Sequence, residues 1–184
     1  MQIPRPVTPC LTGYGRRPSV AASVHKSDFP RFTSVLQYLD YDGVTSVSVS
    51  EAKAMVDKGD WVLVDVRPMT RKAYKIDGAL EIPIFEVIDM IVFGDLSTRT
   101  KMKAVAHTLN GVAPMEINKD FAAQVLAEAD GLGVILMCED GGSIDPLASK
   151  DSRSIKAAWK LTTANPGYPT AHLKGGTKAW SELC

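Results

Sequence analysis

A chain of 184 residues, 45% of them apolar, is long enough for one hydrophobic core of ordinary size and predicts a single domain. Its 21 basic and 21 acidic residues cancel, but Met1 to Ser27 holds Arg5, Arg16, Arg17 and Lys26 with no acidic residue. The rest therefore carries 17 basic against 21 acidic groups, a balance that argues against nucleic acid as a partner of the folded part. No apolar run approaches the roughly 20 residues of a membrane-spanning helix. Three widely spaced cysteines, Cys10, Cys138 and Cys184, fit neither a zinc pattern nor a disulfide framework and suit a reducing compartment.

Residues 1–27 combine Pro4, Pro6, Pro9 and Pro18 with Ser, Thr and Arg and show no periodic apolar face. Such a basic, acid-free leader reads as a transit peptide, with Val20-Ala21-Ala22 as small residues near a cleavage point; a disordered, unprocessed tail is the other reading. The prolines favour a chloroplast destination over a mitochondrion. Residues 28–43 are expected to be a linker, and 44–184 the domain.

Thr45 to Val49 alternates and is β-branched, as in a strand; Ser50 then caps a helix through Lys58, stopped by Gly59. Trp61 to Val66 is continuously apolar apart from Asp65, the pattern of a parallel strand covered on both faces. A carboxylate leaving such a strand needs donors, from the next turn or from Arg67. Met69 to Lys75 reads as a short helix, Gly78 to Pro83 as a short strand, and Ile84 to Phe93 as a helix. About 94–118 is an insertion of mixed structure with turn signals at Asn110-Gly111 and Pro114, and its His107 is read as packed or solvent-facing. Lys119 to Ala129 is helical, with Phe121, Val125 and Leu126 on one side.

Val134 to Met137 then runs as a buried strand into Cys138, Glu139, Asp140, Gly141, Gly142 and Ser143. The two glycines let backbone N–H groups converge, so a thiolate at the strand tip is presented to an anionic or sulfur-bearing group; a small buried hydrophobe is the bland alternative. After a polar extension at about 144–151, Ser152 caps a helix with Ile155, Ala158 and Trp159 inward. Pro166 to Pro169 is a turn, Ala171 to Leu173 a strand, and Gly175-Gly176 opens a last helix with Trp180. The alternation of strands and helices predicts an α/β fold, an open parallel sheet with helices on both faces.

With these motifs in hand, residues 48–184 resemble the rhodanese (sulfurtransferase) domain. The resemblance lies in Val-Leu-Val-Asp-Val-Arg at 62–67, Ile-Asp-Gly-Ala-Leu-Glu-Ile-Pro at 76–83, the strand ending in Cys138, Ser-Arg-Ser at 152–154, and Leu-Lys-Gly-Gly-Thr-Lys-Ala-Trp at 173–180. The leader, the insertion and Pro-Met-Glu-Ile-Asn-Lys-Asp-Phe at 114–121 are similar to plastid members. The resemblance implies that Cys138 is a catalytic nucleophile cycling through a persulfide, with Glu139 to Ser143, Arg153 and Arg67 as the substrate-binding set. It implies a sulfur donor and a thiol or protein acceptor as partners, no metal or organic cofactor, and leaves the oligomeric state open.

The chain departs from the family pattern in two ways. The Arg-Ser helix start comes only at Arg153-Ser154, so either residues 144–151 loop out beyond an intact cradle or the cradle is open. Glu139 and Asp140 would also disfavour a thiolate if they face inward. A catalytically inactive interaction or redox-sensing module is therefore the alternative function. A phosphatase of the Cys-x5-Arg type is disfavoured, because Ile144 stands where its phosphate-gripping arginine belongs.

Overall fold

The computed structural model of the chain describes residues 29–68, 75–87, 105, 114–145 and 150–183. The leader, residues 69–74 of the helix expected at Met69 to Lys75, residues 88–93 of the helix expected at Ile84 to Phe93, most of the insertion including His107, and residues 146–149 lie outside these residues.

Five parallel strands form the central sheet: β1 (Thr45–Val47), β2 (Trp61–Asp65), β3 (Leu80–Glu81), β6 (Gly133–Met137) and β7 (Thr170–Leu173), in the order β1-β7-β6-β2-β3. Two further strands, β4 (Phe85–Val87) and β5 (Met115–Ile117), pair antiparallel to each other outside it. The helices are α1 (Phe32–Tyr41), α2 (Val49–Asp57), α3 (Phe121–Ala129), α4 (Arg153–Ala164) and α5 (Gly176–Leu183).

Strand alternation divides the core into two layers. On one face Val64, Val66, Val134, Leu136 and Cys138 pack against α1, α3 and α4 through Val35, Leu39, Phe121, Val125, Ile155 and Leu161. On the other, Leu63, Ile135, Met137, Ala171 and Leu173 meet Ala52 of α2 and Trp180 of α5. Every residue of β6 is buried, as expected for a strand in the middle of a doubly covered parallel sheet.

Three expectations change. Residues 32–41, expected within a linker, form α1, whose Val35, Leu36 and Leu39 are buried. The helix expected from Ile84 begins instead as strand β4, because Phe85–Val87 finds a ladder partner in β5. The cap of α2 is Ser48 rather than Ser50: the Ser48 hydroxyl accepts from the Glu51 N–H, while the Glu51 carboxylate accepts from the Ser48 N–H, a reciprocal capping box.

Candidate active site

The strands of the main sheet all point the same way, so their carboxyl ends share one rim, with β6 between β2 and β7. Cys138 is the first residue past β6. Strand alternation turns its side chain to the α4 side, where it is 3% exposed, and its Sγ lies 3.2 Å from the Ser154 Oγ.

The chain beyond Cys138 is held from two directions. On the α5 side the Thr177 N–H donates to the Cys138 carbonyl (2.8 Å) and the Lys178 N–H to that of Glu139 (3.3 Å), which satisfies two of the orphan donors at the start of α5. No peptide bond among the described residues is cis. A planar trans peptide points its N–H opposite to its carbonyl, so the Glu139 and Asp140 amides face away from α5. On the α4 side the Gly141 carbonyl accepts from Ser152 Oγ (2.7 Å), from Ser154 Oγ (2.9 Å) and from the His172 Nε2. Gly141 and Gly142 have φ of +74° and +78°, and a Cβ on Gly141 would stand 2.6 Å from the Gly175 and Gly176 nitrogens. Only glycine fits that turn and that approach.

The extended loop is closed at its base. Ser143 and Lys150 form an antiparallel bridge, with the Ser143 N–H donating to the Lys150 carbonyl (3.2 Å) and the Lys150 N–H to that of Ser143 (3.3 Å). The chain thus leaves at Ser143 and is back beside it at Lys150, and the start of α4 is returned to the cysteine. The same bridge engages the Ser143 amide, and the Gly142 N–H donates to the Asp140 carbonyl (2.9 Å). Of the amides expected to form a cradle, these two point elsewhere, and those of Glu139 and Asp140 are turned from α5.

The charged candidates separate. Asp140 is exposed and pairs with Lys178 at 2.6 Å; Lys178, followed by the charges of Lys150 and Arg153, holds its carboxyl below the usual range. It faces outward. Glu139 is half-buried, and half-buried Arg153 opens α4 within electrostatic reach of Asp140. Arg67 is only 1% exposed, and its Nε and Nη2 donate to the two oxygens of Asp65 at 2.9–3.1 Å, with its backbone N–H on the same carboxylate. Asp65 pairs in register with Met137, so this ion pair buttresses the strand tip from within.

His172 and Ser46 were not singled out from sequence. His172 is wholly buried on β7, between Ser46 and Leu136 in register, with its Nδ1 3.2 Å from the Ser46 Oγ. The available signal was a histidine inside Thr-Ala-His-Leu, an otherwise unbroken core strand that has to satisfy both ring nitrogens. Among the described residues no three His, Cys, Asp or Glu side chains are grouped to hold a metal, and no helix is long and apolar enough to cross a membrane.

Residues 48–183 match the family model described as Rhodanese-like domain. A curated relative, the Rhodanese-like domain-containing protein 14, chloroplastic, of Arabidopsis thaliana, is 30% identical over 146 residues, covering 76% of this chain and 62% of its own length. The chain thus spans under two thirds of that relative. Among solved structures, the N-terminal domain of a Clostridium difficile 630 protein superposes with a TM-score of 0.47 at 19% identity, covering 76% of this chain and 98% of its own. A human single-domain sulfurtransferase gives 0.40 at 19% identity, covering 76% and 97%.

Proposed function

Because the chain belongs to the rhodanese-like family, we propose that it is a sulfurtransferase in which Cys138 carries the sulfur. The Cys138 thiolate attacks the outer sulfur of a sulfane donor. A new S–S bond forms, the donor's S–S bond breaks, and the donor leaves with that electron pair as a thiolate or, from thiosulfate, as sulfite. A thiolate or other nucleophilic acceptor then attacks the outer sulfur of the persulfide, and Cys138 departs as thiolate, ready for the next cycle.

The observation that carries this reading is the Ser143–Lys150 bridge, which returns the chain to the cysteine loop so that Ser152 and Ser154 at the start of α4 lie against it. Arg153 is assigned to orienting an anionic donor. The Glu139 and Asp140 amides are assigned to the outer sulfur. Arg67 is assigned to support of the strand tip.

The test is mass spectrometry of the chain incubated with a sulfane-sulfur donor. The expected result is one added sulfur on Cys138, discharged by a thiol acceptor and absent from Cys138→Ser. Equal transfer by wild type and variant from several donors would remove the reading.

A second reading, an interaction or redox-sensing module, is favoured by the 3% exposure of Cys138 and by the engaged amides of Gly142 and Ser143. It gains if no donor loads Cys138 while partner capture survives alkylation of that residue. A plastid location is part of the proposal, supported by the acid-free leader and the chloroplastic relative. A fluorescent fusion of the full chain that stays outside plastids would remove it.

A further inference from the structure

The Gly141 carbonyl receives more donors than it can use. Ser152 Oγ–H, Ser154 Oγ–H and the His172 ring all aim at it, whereas a carbonyl oxygen offers two lone pairs. A carbonyl can only accept, so the His172 Nε2 carries the hydrogen; in the neutral ring Nδ1 is then bare and accepts from the Ser46 hydroxyl. Burial, helped by Lys174, lowers the His172 pKa against the opposing pull of the Gly141 hydrogen bond and favours that neutral ring. Ser152 is anchored as the cap of α4, accepting from the Ile155 N–H. The two serine oxygens also lie 3.1 Å apart, and of the two only that of Ser154 is within 3.2 Å of the Cys138 Sγ, so Ser154 is the donor that can turn from Gly141 to the sulfur.

A hydroxyl has one proton to give. While Ser154 spends it on Gly141, the Cys138 S–H must donate to the Ser154 oxygen. Once Cys138 loses its proton to solvent, the S–H bonding pair stays on sulfur, and sulfur accepts only. The contact survives if the Ser154 O–H rotates toward it.

We infer that Ser154 is the hydroxyl that stabilises the charged sulfur of Cys138, and that His172 is the positioning residue that releases it for this task by keeping the Gly141 carbonyl occupied. This rests on the reading of Cys138 as the reacting group. The charged groups around the pair are Glu139 and Asp140 on the loop, Lys150 at the bridge, Arg153 on α4, Lys174 after β7 and Lys178 on α5. None makes the 3.2 Å contact to sulfur that Ser154 makes.

The experiment is the rate of Cys138 alkylation by iodoacetamide against pH in the full chain, read by peptide mass spectrometry so that other cysteines do not contribute. A hydrogen bond to a charged group is worth enough that Ser154→Ala is expected to move the midpoint up by about one pH unit, a fall of about tenfold in rate near neutrality. Ser154→Thr, which keeps the hydroxyl, is expected to restore it. His172→Phe removes the ring donor and is expected to shift the midpoint in the same direction, while His172→Gln, which can still donate, is not. The double variant Ser154→Ala/His172→Phe should shift no further than Ser154→Ala alone, because His172 acts through Ser154.

An unshifted midpoint in folded Ser154→Ala, or shifts that simply add in the double variant, would overturn the inference. Should Ser154→Ala not fold, the His172→Phe and His172→Gln pair decides it: equal midpoints overturn it. A shifted midpoint with no persulfide in wild type would remove sulfur transfer and leave Ser154 its role. Normal persulfide formation with an unshifted midpoint would remove the Ser154 role alone.

Discussion

Asp65 and Arg67 show how little a buried charge tolerates losing its partner. Both are about 1% exposed, and truncating Arg67 strips its guanidinium hydrogen bonds from the buried Asp65 carboxylate. Arg67→Ala is therefore expected to cost about 3–5 kcal/mol in urea unfolding, whereas Lys178→Ala, which breaks an exposed pair, should be close to neutral. Asp65 was legible as an anomaly in an apolar run, and Arg67 as one of two candidate donors; the choice between them needed the third dimension. His172 supplies a pH signature. Its pKa is lowered on folding, so below the ordinary value of 6.5 the unfolded chain binds a proton that the folded chain resists. The stability in question is fully present above pH 6.5 and declines as pH falls through the folded value. Denaturation midpoints measured from pH 7.5 downward should show this decline, and His172→Gln should lack it.

The turns around Cys138 are shared between elements, so their failure is not local. A Cβ on Gly176 would overlap the Cys138 carbonyl oxygen and stand 2.6 Å from the Gly141 nitrogen, and φ there is +62°. Gly176→Ala is expected to destabilise by about 2 kcal/mol or more in urea unfolding and to slow Cys138 alkylation as well. Ser48→Ala removes only the cap of α2 and should cost about 1 kcal/mol. Ser152→Ala should cost more, because its hydroxyl caps α4 and also holds Gly141. At this scale β2, β6, β7, α3 and α4 were readable because their apolar periods are local. Strand β4 was not, because what makes Phe85–Val87 extended is its pairing with Met115–Ile117, remote in sequence. Helix α1 had its signal in plain view, Phe32, Leu36 and Leu39 at helical spacing, but Arg31 offers no side-chain cap hydrogen bond to mark its start.

Taken as a whole, the folded unit reaches further back than the 48–183 span of the family match. Val35 and Leu39 are part of the α4-side core, the Tyr38 hydroxyl donates to the Thr162 carbonyl at 3.2 Å, and the Phe29 ring lies 5.6 Å from that of Trp159 and 6.1 Å from that of Phe85. Burying each large apolar side chain contributes about 1.5–3 kcal/mol, against a total stability of about 5–15 kcal/mol. A chain beginning at residue 43 should therefore lose its cooperative melt, while one beginning at residue 28 keeps it; thermal denaturation followed by circular dichroism distinguishes them. The parallel sheet was legible from alternation alone, but the boundary was not, since composition cannot show that a short amphipathic stretch covers a distant helix. The β4–β5 ladder bears on how freely the chain between its strands can change in length. Register between Val87 and Met115 holds the departure and return of the intervening chain about 5 Å apart. Closure entropy rises only with the logarithm of length. Sequence between Val87 and Met115 can thus be lengthened or shortened at small entropic cost while the ladder holds.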